Sequence, residues 1–272
     1  MATLWKALAS VSLFTSIMAA IVYNGFFDSA FIELGFQHYA EKPSNFNMFF
    51  PSFVKMPLNT VVNVGYILLG AYWCAITTIC RENNVINEFD AFIFYVFNIM
   101  SGFYGAIQAL RIITQIHGFG VMDQWSTLPF FMAVVIWGMY TKWGWNVPLF
   151  LFLMILSLAS YSFTLFTPIG FEIALGIHVV LAVTAAVIGY SKYPCRNARH
   201  YFVLAMLSCA GFIGLKLLDF QLVKYHEIFN KVSGHFLSKI ADIMQIHYVN
   251  EYFRSLVIQR FLLQQAKKGK SD

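Results

Sequence analysis

"VSGHFLSKIADIMQIHYVNEYF", residues 232–253, is the stretch whose reading decides the fold. It has the length and apolar background of a membrane-crossing helix, which needs about 20 residues. Yet it carries His235, Lys239, Asp242 and His247. An ionisable side chain left facing lipid costs on the order of 2.5–3.5 kcal/mol, so these groups are expected to face the protein interior and to be partnered there. His235 and Lys239 stand four residues apart, and Lys239 and Asp242 three, which puts all three on one helical face. His247 falls deeper along the helix and off that face.

The rest of the chain supplies the same solvent. Of 272 residues, 59% are hydrophobic and 11% charged, with 29 phenylalanines. A soluble domain carries roughly 25% charged residues, so the composition is that of a polytopic membrane protein. Windows of about 20 apolar residues predict an all-α transmembrane bundle with eight spans, near 4–23, 57–79, 91–113, 122–142, 146–165, 169–190, 201–222 and 233–258. The first is read as a retained helix rather than a signal peptide, because no small-residue cleavage site follows it and Lys6 is a weak leading charge. One single domain is expected, without repeats or low-complexity tracts.

Loop charges orient the bundle. Eight spans put both termini on one side, which collects Lys6, Arg81, Lys142, Lys192, Arg196, Arg199, Arg260, Lys267, Lys268 and Lys270. The opposite side has Lys42, Lys55, Lys224 and Lys231, diluted by Asp28, Glu33, Glu41 and Glu227. The excess of positive charge makes both termini, and the basic tail 259–272, cytosolic. The 24–56 loop is then lumenal, in an endomembrane such as the Golgi or endoplasmic reticulum, and is expected to fold over the mouth of the bundle. The net charge of +5 follows from this bias and does not point to nucleic acid. Cys74 and Cys209 fall within spans, and Cys80 and Cys195 at cytosolic ends where disulfides are not expected.

Depth sorts the remaining polar residues. Asn59 and Asn63 fall in the lumenal part of the second span, and Gln108 and Arg111 near the lumenal end of the third. Asp123 opens the fourth span, and Glu172 opens the sixth with His178 about 9 Å deeper. Lys216 and Asp219 come late in the seventh, and His235, Lys239 and Asp242 in the first half of the eighth. Six spans therefore aim costly side chains at one half of the membrane, which predicts a lumenal polar cavity. Its cations (Arg111, Lys216, Lys239) and anions (Asp123, Glu172, Asp219, Asp242) are close in number, as an ion-pair network requires.

Several segments carry a resemblance. "FDSAFIELGFQHYAEKPSNFNMFFPSFVKMPLNTVVNVGYILLG" (27–70), "MDQWSTLPFF" (122–131), "GFEIALGIHVV" (170–180), "LSCAGFIGLKLLDFQL" (207–222) and "GHFLSKIADIMQIHY" (234–248) resemble the transmembrane protein 187 family over nearly the whole chain. More distantly, they are similar to the alkaline ceramidases and the progestin and adipoQ receptors, seven-helix membrane proteins with a zinc site. That resemblance implies that spans 2 to 8 are the seven shared helices, with span 1 added. It puts Asp123 on the superfamily's Asp after its Ser-x-x-x-His helix, and Asp219 on the Asp of the sixth helix. His235 matches the first residue of the last helix's His-x-x-x-His.

The departures are chemical. The second histidine of that last motif is Lys239, and the upstream Ser and His fall near Gln108 and Arg111 or Ile112. A protonated lysine cannot ligate zinc and would repel it. Two readings follow. In one, no cofactor is held, the cations take over the electrostatic place of the metal, Lys239 pairs with Asp123 and Asp242, and the cavity binds a lipid or a partner. In the other, a rewired zinc site of His235, Asp123 and His178 makes the chain a ceramidase-type lipid amidase. His235 can equally be a satisfied polar residue, Lys239 a nucleophile, and Asp123 a carboxylate stabilised by its helix N-terminus. Transport is a weaker option, since no broken-helix pair or inverted repeat is evident.

Overall fold

A computed structural model of the chain describes residues 1–43 and 50–268. Its order is α1 (Ala2–Tyr23), α2 (Pro57–Val61), α3 (Val64–Glu82), α4 (Glu88–Thr114), α5 (His117–Trp143), α6 (Val147–Ser160), α7 (Gly170–Tyr190), α8 (Arg196–Leu217), α9 (Asp219–Tyr225) and α10 (Gly234–Lys268). Single 3₁₀ turns occur at Phe36–His38, Tyr161–Leu165 and Glu227–Asn230, and no strand occurs among the described residues. The all-α bundle matches the sequence reading. By length and composition, seven segments can cross a membrane: Ala2–Tyr23, Pro57–Glu82, Glu88–Thr114, His117–Trp143, Val147–Leu165, Gly170–Tyr190 and Arg196–Leu217. Helix α10 is too charged to join them on composition, yet at 35 residues it is the longest helix, about 52 Å at the helical rise.

Local chemistry sets the boundaries. Asn87 and Asp90 form a reciprocal capping box at the start of α4: Asp90 N–H donates to Asn87 Oδ1 at 2.9 Å, and Asn87 N–H to Asp90 Oδ2 at 3.1 Å. Gln115, in the left-handed region at φ 54°, ends that helix. Three predicted spans are interrupted. The second breaks between α2 and α3, where Asn63 Nδ2 donates to the Asn59 carbonyl at 2.8 Å. The fifth tightens into a 3₁₀ turn from Tyr161. The seventh, expected over 201–222, stops at Leu217, and Asp219 begins the separate α9.

Close helix crossings depend on small residues, as expected where lipid is as apolar as the side chains and cannot drive association. At the α5–α7 crossing a Cβ on Gly138 would sit 2.2 Å from the Ala185 carbonyl oxygen. Between α3 and α4, a Cβ on Gly70 would meet the Asn98 carbonyl at 2.5 Å. The core lies around α5 and α10, where Trp137 stacks on Phe253 with ring centroids 4.1 Å apart. One helix turn away from that core, Asn98 and Asn250 exchange amide hydrogen bonds of 2.7 and 3.0 Å between α4 and α10.

The polar segments at the two ends of the bundle pack onto it. Arg260, counted with the basic tail, is part of α10 and pairs with Asp90, whose side chain is fully buried. Helix α10 carries the chain as far as Lys268, so the described part of the 259–272 tail is helical; residues 269–272 lie outside the described residues. The described part of the 24–56 loop covers the opposite end of the bundle, called here the loop end. Lys42 N–H donates to the Asn230 carbonyl at 3.1 Å, and Tyr39, Ala40 and Met56 are buried.

Candidate functional site

The loop end encloses a polar cavity of about 40 Å³. Helix α4 contributes Tyr104, Gln108 and Arg111, α5 contributes Asp123, α8 contributes Lys216, and α10 contributes His235, Ser238 and Lys239, with Tyr39 of the loop closing the top. Since a water needs roughly 10–15 Å³ of such space, the cavity has room for a compact group and not for a chain. Tyr39 meets His235 edge-on, with centroids 4.9 Å apart and planes at 90°. Burial pushes the Tyr39 phenol above its ordinary value, against the opposing pull of Arg111, so it stays a neutral donor.

The central ion pair differs from the one expected. Arg111 Nη1 bonds Asp123 Oδ2, while Arg111 Nη2 donates to the Glu33 carbonyl of the loop at 3.3 Å. Lys239, only 6% exposed, has no carboxylate within 4.0 Å of its Nζ among the described residues. Its expected partners are engaged elsewhere: Asp123 by Arg111, and Asp242 by the Tyr66 hydroxyl, which donates to Oδ2 at 2.7 Å. The reason is angular. Three residues along a helix fall about 60° short of a full turn, so Asp242 is carried from the cavity toward α3.

The other predicted site residues separate into two groups. Gln108, Arg111, Asp123, Lys216, His235 and Lys239 meet at the cavity. Asn59, Asn63, Glu172, His178, Asp219 and Asp242 do not line it. Asp219 is a structural clasp: its Oδ2 accepts from Ala40 N–H and its Oδ1 from His235 N–H, each at 2.8 Å, tying the loop to the start of α10. Asn59 donates to Ser233 Oγ at 3.4 Å beside it. His178 fastens α7 to α6, with Nε2 2.8 Å from Ser157 Oγ and Nδ1 2.8 Å from its own helix's Ala174 carbonyl. Glu172 is exposed. His247 accepts from Trp73 Nε1 at 3.3 Å, away from the site.

These positions do not make a zinc donor set. Both ring nitrogens of His178 and both oxygens of Asp219 are already bonded, and Lys239 occupies the second motif position. Among the described residues, no group of three or more His, Cys, Asp or Glu side chains converges.

Three features escaped the sequence reading. Glu41 is buried in the loop and caps α2, accepting from Leu58 N–H at 3.0 Å and Asn59 N–H at 2.9 Å. Its only signal was a carboxylate upstream of the Pro57 helix start. Asp90 binds both Arg260 and the Tyr140 hydroxyl, the latter at 3.0 Å; the Asn87-x-x-Asp90 spacing could have exposed its capping role but not its partners. The third is an apolar groove of about 270 Å³ between α1, α4, α5 and α6, with Val11, Phe14, Phe103, Pro129 and Met154 among its walls. It follows α4 from Phe92 to Ile107, about 22 Å of helix, and Tyr104 lines both this groove and the polar cavity.

The TMEM187 protein family matches residues 7–254, a range that includes every residue lining the polar cavity. The chain belongs to the TMEM187 family. It is 39% identical to transmembrane protein 187 of Homo sapiens over 243 residues, covering 89% of each chain. With transmembrane protein 187 of Bos taurus the identity is 37% over 251 residues, covering 92% of this chain and 96% of that one. No solved structure matches the chain. The family names and the run of apolar helices together make it a multi-pass membrane protein. Within the TMEM187 match falls the Asp219 clasp, whereas Arg260, the partner of Asp90, lies beyond it.

Proposed function

We propose that this TMEM187-family chain is a non-hydrolytic membrane protein of the Golgi or endoplasmic reticulum, with the helical arrangement of the ceramidase-like superfamily and a polar cavity that binds a lipid. The observation that carries the reading is Lys239 itself: its buried ammonium occupies the second position of the superfamily's His-x-x-x-His, beside an Arg111–Asp123 pair. Fixed cations here do the electrostatic work of a metal without supplying a Lewis acid or an activated water. The apolar groove on the far side of Tyr104 adds support for a lipid, because its length exceeds the roughly 15 Å of one leaflet and suits an acyl chain. Both termini are cytosolic and the loop end lumenal by the distribution of Lys and Arg.

Metal analysis of the protein purified in mild detergent tests the chemistry. The expected result is no stoichiometric zinc, in the wild type or in Lys239→His, which restores one motif histidine but not the upstream one. Stoichiometric zinc lost on His235→Ala would overturn the reading in favour of an amidase. Protease treatment of intact microsomes tests the orientation: a C-terminal tag should be removed, and a tag protected until detergent is added would reverse the topology.

A further inference from the structure

Three cations line the cavity, Arg111, Lys216 and Lys239, and among the described residues Asp123 is its one lining carboxylate, with Asp242, Glu33 and Glu172 acting on the lysines from outside the wall. Arg111 and Asp123 bond each other and cancel. Asp242, the next carboxylate along α10, accepts from Tyr66 and makes no ion-pair contact with Lys239. That leaves Lys239, more than nine-tenths buried, and Lys216 of the cavity wall without a carboxylate in contact among the described residues. A buried charge without a partner is costly, and proteins keep one where it acts. Beside them, the Gln108 Oε1 is buried and accepts no hydrogen bond from the described residues. The set is thus a pair of ammonium donors with an amide that can supply a donor and an acceptor.

We propose that this cavity is an anion site, taking a phosphate or carboxylate group between Lys239 and Lys216, with Gln108 bonding a hydroxyl or bridging water of the same group. Its volume of about 40 Å³ admits such a headgroup and excludes a chain. Arg111, held by Asp123, stands at the wall as a positioned charge rather than as a free ligand. This rests on the reading above, in which cations replace the metal; it adds the chemical class of the ligand.

The test is thermal unfolding of the full chain in neutral detergent, titrated separately with inorganic phosphate, short-chain phosphatidic acid and phosphatidylcholine of the same chain length. Wild type should show a saturable rise in melting temperature with at least one of the two anionic probes and none with phosphatidylcholine. A response to phosphate identifies a soluble anion as sufficient, and a response to phosphatidic acid alone identifies a lipid headgroup. Lys239→Met should weaken apparent affinity by about tenfold or more, as loss of one charge-assisted contact implies. Without any probe, Lys239→Met should melt at or above the wild-type temperature, because it removes an uncompensated charge. Lys216→Gln gives the same affinity test if Lys239→Met does not fold. An equal response in the variants, or no response to either anion, overturns the proposal. Zinc measured on the same preparations separates the two failures: metal-bound protein refutes the underlying reading as well, while metal-free protein that ignores anions refutes this inference alone.

Discussion

Neutralising Asp123 should damage the protein more than removing the arginine it binds. The two side chains are 12% and 15% exposed, so the pair is largely shielded from water. At an effective dielectric near 20, opposite charges 4 Å apart attract by about 4 kcal/mol, and stranding one partner of a buried pair costs about 3–5 kcal/mol. The neighbours make the two losses unequal. Without Arg111, Asp123 still shares its cavity with Lys216 and Lys239; without Asp123, three cations line a cavity that contains no carboxylate. Asp123→Asn should therefore cost the full 3–5 kcal/mol, about 6–20 °C in melting temperature for a chain of this size. Arg111→Met should cost less, about 1–3 kcal/mol, and the double variant should fall short of the sum. Circular dichroism melts in one detergent supply the comparison. If Asp123→Asn shifts the transition by less than Arg111→Met, the cation excess assigned to the cavity is wrong.

Arg260→Ala should strand the fully buried Asp90 carboxylate and lower stability by about 3–5 kcal/mol, whereas Tyr140→Phe, removing one hydrogen bond to the same charge, should cost about 1.5–3 kcal/mol; equal, negligible melting shifts for both would return Arg260 to a solvent-exposed tail. Burial raises the Glu41 carboxyl above its ordinary 4.5, against the backbone N–H groups of Asn59 and Leu58. The folded chain then binds this proton more tightly than the unfolded one, so its contribution to stability grows as pH falls from above the raised value toward 4.5. The wild type should gain on Glu41→Gln over that fall, and melts at a series of pH values that keep a constant gap would refute it. Ser157→Ala should leave the His178 Nε2 unpaired and cost about 1–3 kcal/mol with no change in metal content; loss of a bound metal instead would return His178 to a ligand role. Gly138→Ala should push α5 off the Ala185 carbonyl, lowering the melting temperature by several degrees, and an unchanged transition would mean that the crossing is looser than its 2.2 Å approach.

Much of this protein is legible in its sequence. Apolar runs of about 20 residues fix a membrane bundle because backbone polar groups in lipid must be satisfied within each helix. The cost of burying polar and charged groups predicted that Gln108, Arg111, Asp123, Lys216, His235 and Lys239 lie at a common depth, and all six line the cavity. Pairing was not legible, since depth along a helix leaves rotation about its axis open. Arg111 rather than Lys239 reached Asp123, Tyr66 took Asp242, and the His178 side chain turned to Ser157. Asp219 looked like a site residue, but it holds the loop to α10. Asp90 and Arg260 lie 170 positions apart, and only the packing of α4 against α10 joined them. Each such partnership depends on which helices are neighbours and how they are turned, and that is decided where small residues such as Gly70 and Gly138 let two backbones touch.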